Sequence, residues 1–186
     1  LADLKKQFER YANFGVIDAK GLLRCSALPV SRQILLEDRE YFRGAVESGG
    51  FTVGRYQVGR ATGTATVNFS LPVVDSKGES TGVVFAALDL DALGRISHQP
   101  RVSEGTELTV TDAAGVILLA FPSRPGALGT RLPDAVGVAA IPQASKGVER
   151  ITDVNGVEHI RAQVRVGGFA AGALAIEVRR PLEPLL

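Results

Sequence analysis

The sequence has no methionine, a single cysteine and almost no net charge. With Cys25 alone, an internal disulfide and a CxxC metal site are both excluded. In "LLRCSAL" it is expected to be a small buried hydrophobe. A formal net charge of +1 gives no overall basic field, so nucleic acid is not an expected partner. No apolar run reaches the roughly 18 residues a membrane helix needs, and there is no signal-peptide pattern. Methionine is missing even at position 1, so the chain is expected to be part of something longer, with any targeting or membrane segment outside it. His98 and His159 lie far apart and in no zinc spacing. They are expected to be surface or packing residues. No Walker A or dinucleotide fingerprint exists, so neither a metal nor a cofactor is expected.

What is there is an ordinary globular composition, 45% hydrophobic and 22% charged. At 186 residues the chain can form one large domain or two small ones. In "LADLKKQFERY", Leu1, Leu4, Phe8 and Tyr11 fall at helical spacing, which predicts an amphipathic helix over 1–11. Four turns then share one grammar: "DAKG" at 18–21, "DSKG" at 75–78, "DAAG" at 112–115 and "DVNG" at 153–156. Each stands between strand-like runs and reads as a hairpin turn. The first and third open similar segments about 90 residues apart, too long a period for a solenoid. That spacing suits two copies of one small α+β unit.

The first copy is the better specified. Asp38 is placed to cap a helix over 39–48, and Gly49 stands where a left-handed C-terminal residue belongs. Tyr41, Phe42, Ala45 and Val46 form its apolar stripe, with Arg39 at the stripe's edge. An irregular strand with Phe51, Val53, Tyr56 and Val58 follows, and a bulge near Gly54 is expected. The strand over 66–74 alternates, with Val67, Phe69, Leu71 and Val73 on one face and Thr66, Asn68 and Ser70 on the other. Its expected partner, "GVVFAALDL" at 82–90, is apolar on both sides, as in a central strand covered on both faces. The polar row is therefore expected to line a hollow beneath helix 39–48. A short helix over 91–99 with a boundary near residue 98 closes this copy. Strands near 147–152, 157–166 and 173–179 close the second.

Candidate chemistry is sparse. "GESTG" at 78–82 matches the G-x-S-x-G elbow with Ser80, but it lacks the strand-then-helix context a hydrolase needs. "NFS" at 68–70 matches a glycosylation sequon in a strand expected to be covered. Arg39, Arg43, Arg55 and Arg60 cluster within a short span. Either they pair with Asp38, Glu40 and Glu47 at the surface, or some point into the hollow and bind an anion. A guanidinium matches a carboxylate with two parallel hydrogen bonds, strongest where water is excluded. The ligand-binding candidates are Arg39, Tyr41, Phe42, Arg55, Tyr56, Arg60, Asn68 and Ser70, with Arg39 the leading anchor.

Taken in order, "NFGVIDAKGLLRCSALP", "DREYFRGAVESGGFTVGRYQVGRATG" and "LPVVDSKGESTGVVFAALDLDAL" resemble the double Cache family of extracytoplasmic sensor domains. The resemblance runs over nearly the whole chain. It implies an α+β fold of two tandem PAS-like lobes, each mainly an antiparallel sheet, after an N-terminal stalk helix. The lobes would cover 1–98 and 99–186, the first membrane-distal. It also implies a periplasmic sensor domain of a bacterial membrane receptor, with a histidine kinase or diguanylate cyclase output and no enzymatic activity of its own. The expected partners are a small-molecule ligand, a second copy through the stalk helix, and flanking membrane helices outside the chain. Amino-acid-binding members carry an arginine that Arg39 matches and two aromatics replaced here by Tyr41 and Phe42. They also carry an aspartate where this chain has Ala87. That departure leaves a carboxylate ligand open. The alternatives are a ligandless dimerisation module and, through Ser80, a hydrolase.

Overall fold

A computed structural model gives the fold and describes residues 1–96, 105–132, 148–153, 155–166 and 173–182. The chain divides into two compact units, the first built on Leu1–Leu93 and the second on Gly94–Gly167 with Ala173–Leu186. Both are mostly antiparallel sheet with few helices. The expected boundary at 98/99, and His98 with it, lie outside the described residues.

In the first unit, helix α1 covers Ala2–Gln7 and strand β1 covers Tyr11–Asp18. The helix expected over 1–11 therefore stops short, and Tyr11 belongs to the sheet. Strand β2 is Leu23–Ser26, helix α2 is Glu40–Ser48, and the short strands β3 and β4 are Thr52–Val53 and Gln57–Val58. Long strands β5, Ala65–Val74, and β6, Ser80–Asp89, follow, then helix α3, Leu90–Ile96. The sheet order is β2-β1-β6-β5-β3, with β4 also paired to β5. In place of a bulge near Gly54 the chain breaks into β3 and β4. Between them the Gly54 amide donates to the Asn68 carbonyl at 2.8 Å.

The Asp-x-x-Gly turns share one geometry. Asp18, Asp75, Asp112 and Asp153 each accept amides two and four residues ahead through Oδ1, at 2.8–3.0 Å. Their glycines all have φ near +80°. Backbone donors hold the Asp18 and Asp153 carboxyls below the usual range. At Gly21 a Cβ would also lie 2.5 Å from Glu37 Cβ. Gly21→Ala is therefore expected to destabilise the chain by about 2 kcal/mol, read from urea unfolding. An unchanged midpoint would contradict this account of the turn.

α2 ends as expected, with Gly49 at φ 64°. Its start is different. Arg39 is the N-cap residue and makes no side-chain cap, because the Asp38 carboxylate is held by Arg60. The buried stripe contains Tyr41, Phe42 and Ala45, while Val46 is exposed. Tyr41 and Phe42 pack into a core with Ile17, Leu23, Ile34, Leu36, Val83, Phe85 and Ala87. Burying each such ring contributes about 1.5–3 kcal/mol.

β6 is central, but the expectation that both its faces are covered is not met. Val84 on its far face is exposed, as are Leu71 and Val73 on β5. The polar face of β5 is buried throughout, with Thr66, Asn68 and Ser70 at 0–3% exposure, and on its other face Val67 is buried as well. Cys25 is exposed on edge strand β2, against the expectation of burial.

In the second unit, β7 is Glu107–Thr111, β8 Ile117–Phe121, β9 Val148–Thr152, β10 Glu158–Val166 and β11 Leu174–Pro181. The sheet order is β8-β7-β11-β10-β9. Its buried face is again polar, with Thr109, Thr111, His159, Arg161 and Glu177, while Ile160, Val164 and Val178 are exposed. Ion pairs neutralise that face: Arg161 with Glu149 at 2.7 Å and Arg179 with Glu107 at 2.6 Å.

Candidate functional site

The register of three strands builds the floor of a cavity in the first unit. Asn13 of β1 is opposite Ala87 of β6, and Ala87 is opposite Asn68 of β5. The three lie in one row on the buried face. α2 crosses above, and its Tyr41 carbonyl accepts a 2.7 Å hydrogen bond from Ser70 Oγ. That bond fixes the helix to the sheet. The Tyr41 ring closes the roof, with its centroid 5.5 Å from that of Phe85. Leu23 and Leu36 add apolar lining, and Gln57, Gly59, Ala61 and Thr62 complete it. The cavity measures about 20 Å³, room for one water.

Two cations stand at the rim. Arg39 donates from Nη1 to Gln57 Oε1 at 3.1 Å and from Nη2 to the Val58 carbonyl at 3.4 Å. Arg60 forks onto both Asp38 carboxylate oxygens at 2.6 Å and onto the Leu35 carbonyl at 2.5 Å. These contacts join the segment before α2 to the turn between β4 and β5. No Asp or Glu lines the cavity among the described residues. Two atoms stand out: Arg39 Nε, a donor, and Asn68 Oδ1, an acceptor, are buried with no hydrogen-bond partner. Thr66 Oγ1, on the Asn68 face of β5, is the same. Asn13 differs, because its Oδ1 accepts from the Ala27 amide at 3.1 Å and its Nδ2 donates to Ser26 Oγ. A buried polar group without a partner costs roughly 1–3 kcal/mol. These atoms make the buried polar edge of the site, of which Arg39 is the cationic member.

Burial pushes the Tyr41 hydroxyl well above its usual range, against the opposing Arg39 charge and a hydrogen bond with the Asn68 side chain, so it is a neutral group here. Arg60 donates to Asp38 and holds its carboxyl below the ordinary value. The stabilisation from a carboxyl lowered in this way is present above about pH 4 and is lost as pH falls through the folded-state value. This pair is exposed, so it contributes no more than about 1 kcal/mol. Asp38→Asn at neutral pH is expected to reproduce the loosening that acid gives the wild type. Hydrogen exchange at the Leu36 and Gly59 amides measures it, and unchanged protection in the variant would contradict this role of the Asp38–Arg60 pair.

No protein-family model matches the chain, and no curated protein matches it. Solved structures do. The extracellular domain of rpHK1S-Z16, described as a histidine kinase, superposes with a TM-score of 0.79 at 19% identity, over 98% of this chain and 75% of that one. The sensor domain of the V. cholerae histidine kinase DctB gives 0.66 at 18% identity, over 99% and 77%. The ligand-binding domain of the Pseudomonas fluorescens chemoreceptor CtaA, in complex with L-alanine, gives 0.64 at 20%, over 97% and 77%. The chain has a Cache-type sensor-domain fold. At these identities the likeness is one of fold, and it bears out the resemblance carried by the sequence motifs.

The sensor fold brings four of the eight candidates, Arg39, Tyr41, Arg60 and Asn68, to the cavity. Phe42 packs in the core beneath α2, and the Ser70 hydroxyl is engaged by Tyr41. Arg55 pairs with Glu40 at 3.0 Å on the surface, and Tyr56 is not among the lining residues. Asn13, Gln57 and Thr62 line the cavity and were not anticipated. Ser80 opens β6 directly after a turn, without the helix an elbow requires. Among the described residues there is no metal-binding cluster, and no helix is long and apolar enough to cross a membrane.

Proposed function

We propose that this chain is the extracytoplasmic ligand-sensing domain of a bacterial signal-transduction receptor, with two PAS-like lobes, 1–98 and 99–186, behind a stalk helix. The first lobe takes a small carboxylate. One observation carries the reading: Arg39, with Nε buried and unpartnered, stands at the rim of a cavity roofed by Tyr41 and floored by Asn68. Support comes from the neighbours, since CtaA was solved with L-alanine bound to a domain of the same fold. On this reading the carboxylate displaces Gln57 from Arg39, and the new packing of α2 on the sheet passes to the stalk helix and to the end of the chain. A histidine kinase or diguanylate cyclase would read it, in a homodimer joined by the stalk. The ligand moves that equilibrium only by its differential affinity for the two packings. A near-complete switch needs about 5 kcal/mol.

The small cavity favours a second reading, a ligandless dimerisation module that pairs through Leu1, Leu4 and Phe8, all of them exposed. A thermal-shift screen of short carboxylates separates the two. Stabilisation by one of them supports sensing, and no shift with any acid leaves the ligandless module.

A further inference from the structure

We infer that the outer face of the first sheet, opposite the Arg39 cavity, holds a second site, which takes the tail of a free fatty acid of about ten carbons. It is independent of the carboxylate reading above and follows from strand register. Ala86 of β6 lies opposite Phe14 of β1 and Phe69 of β5, and the next row on that face is Val16, Val84 and Leu71. A single methyl group between two rings leaves a trough. Phe51 stacks on Phe69 with ring centroids 6.0 Å apart and raises one wall, and Leu1 and Leu4 of α1 add lining.

The trough measures about 270 Å³, against about 20 Å³ for the cavity under Tyr41. An apolar cavity of about 150 Å³ takes a benzene, so by proportion this one takes about ten carbon atoms. No charged side chain lines it among the described residues, and its one hydroxyl, on Ser70, is bonded to the Tyr41 carbonyl on the opposite face. The lining therefore offers an occupant no side-chain hydrogen bond, and a methylene chain asks for none. The polar end is chosen by α1. Lys5, one helical turn on from Leu1, is the only half-buried residue of that helix, the others being exposed. Its stem lies along the packed side. Lys6 is paired with Asp3, whereas Lys5 has no ion pair among the described residues. A cation without an acid beside an apolar trough suits a carboxylate head on an aliphatic tail.

Titration calorimetry of the purified chain with hexanoate, octanoate, decanoate and dodecanoate, each as monomer, tests this. Affinity is expected to rise about fourfold per added methylene up to about ten carbons and to level off beyond. Decanoate should bind about fivefold tighter than decyltrimethylammonium, and Lys5→Glu should reverse that order. Ala86→Leu fills the trough and should abolish the dependence on chain length. Acetate, which is short enough for the Arg39 cavity, should not compete with decanoate, so either site can fail without the other. Affinity independent of chain length, competition by acetate or tighter binding of the cation would overturn the proposal. So would a dimer that Ala86→Leu dissociates, which would give the trough to a second copy. Loss of decanoate binding in a chain lengthened before Leu1 would give it to the added segment and overturn the proposal equally. The wild-type series decides even where a variant fails to fold.

Discussion

Arg39→Ala is expected to erase the stabilisation that a short carboxylate gives the wild-type chain. At a hundred times its dissociation constant a ligand adds about 2.7 kcal/mol to the wild type. A guanidinium–carboxylate pair sheltered from water is a short, charge-assisted fork, and removing one partner typically costs 2–5 kcal/mol of binding. The variant's affinity should fall by about a hundredfold or more, which leaves almost no shift at the same concentration. Without ligand the substitution should change stability by only about 1 kcal/mol, because Arg39 gives up only rim hydrogen bonds to Gln57 and Val58. Arg39→Lys separates charge from geometry: it keeps the cation, loses the fork, and should fall between the two. A carboxylate that stabilises wild type and Arg39→Ala equally would show that Arg39 is not its anchor.

Tyr41→Ala is expected to cost about 3–5 kcal/mol of folding stability. The side chain is 2% exposed, with its ring tilted against that of Phe85, and is part of the core with Leu36 and Val83. Its loss opens the roof over Asn68. Tyr41→Phe keeps the ring and should cost far less, and the two variants separate by their urea midpoints. The phenol adds a pH signature. Its pKa is raised by burial, so the folded chain keeps the proton while the unfolded chain releases it above the ordinary value of about 10. Above that pH the folded state binds more protons than the unfolded one, so stability falls as pH rises, by about 1.4 kcal/mol per unit for one proton. Tyr41→Phe should flatten this alkaline slope. A variant with the wild-type slope would mean the phenol ionises freely when folded.

The turns, α2 and its Gly49 terminus were legible because each depends on residues adjacent in sequence. Asp18, Asp75, Asp112 and Asp153 bind amides only two and four positions ahead, so the Asp-x-x-Gly spacing carries the whole geometry. Strand β5 was half legible. Alternation separated Thr66, Asn68 and Ser70 from Val67, Phe69 and Leu71, and α2 was correctly expected above the polar row. The apolar row was expected to be covered as well, yet Leu71 is exposed. What covers a face is a tertiary fact, and alternation alone does not carry it. Asp38 had the right spacing for a helix cap, but a long-range partner, Arg60, won its carboxylate. Asn13 and Gln57 carried no signal because nothing around either is patterned. Asn13 reaches the floor through its register with Ala87, and Gln57 reaches the rim through β4 pairing with β5.

The floor row Asn13–Ala87–Asn68 crosses three strands whose backbone pairing does not depend on those side chains. Asn13 also holds Ser26 and the Ala27 amide through its side chain, whereas Ala87 and Asn68 leave the strand pairing to the backbone. On the sensing reading, a replacement at Ala87 or Asn68 could therefore recruit a new chemical stimulus while the scaffold stays intact.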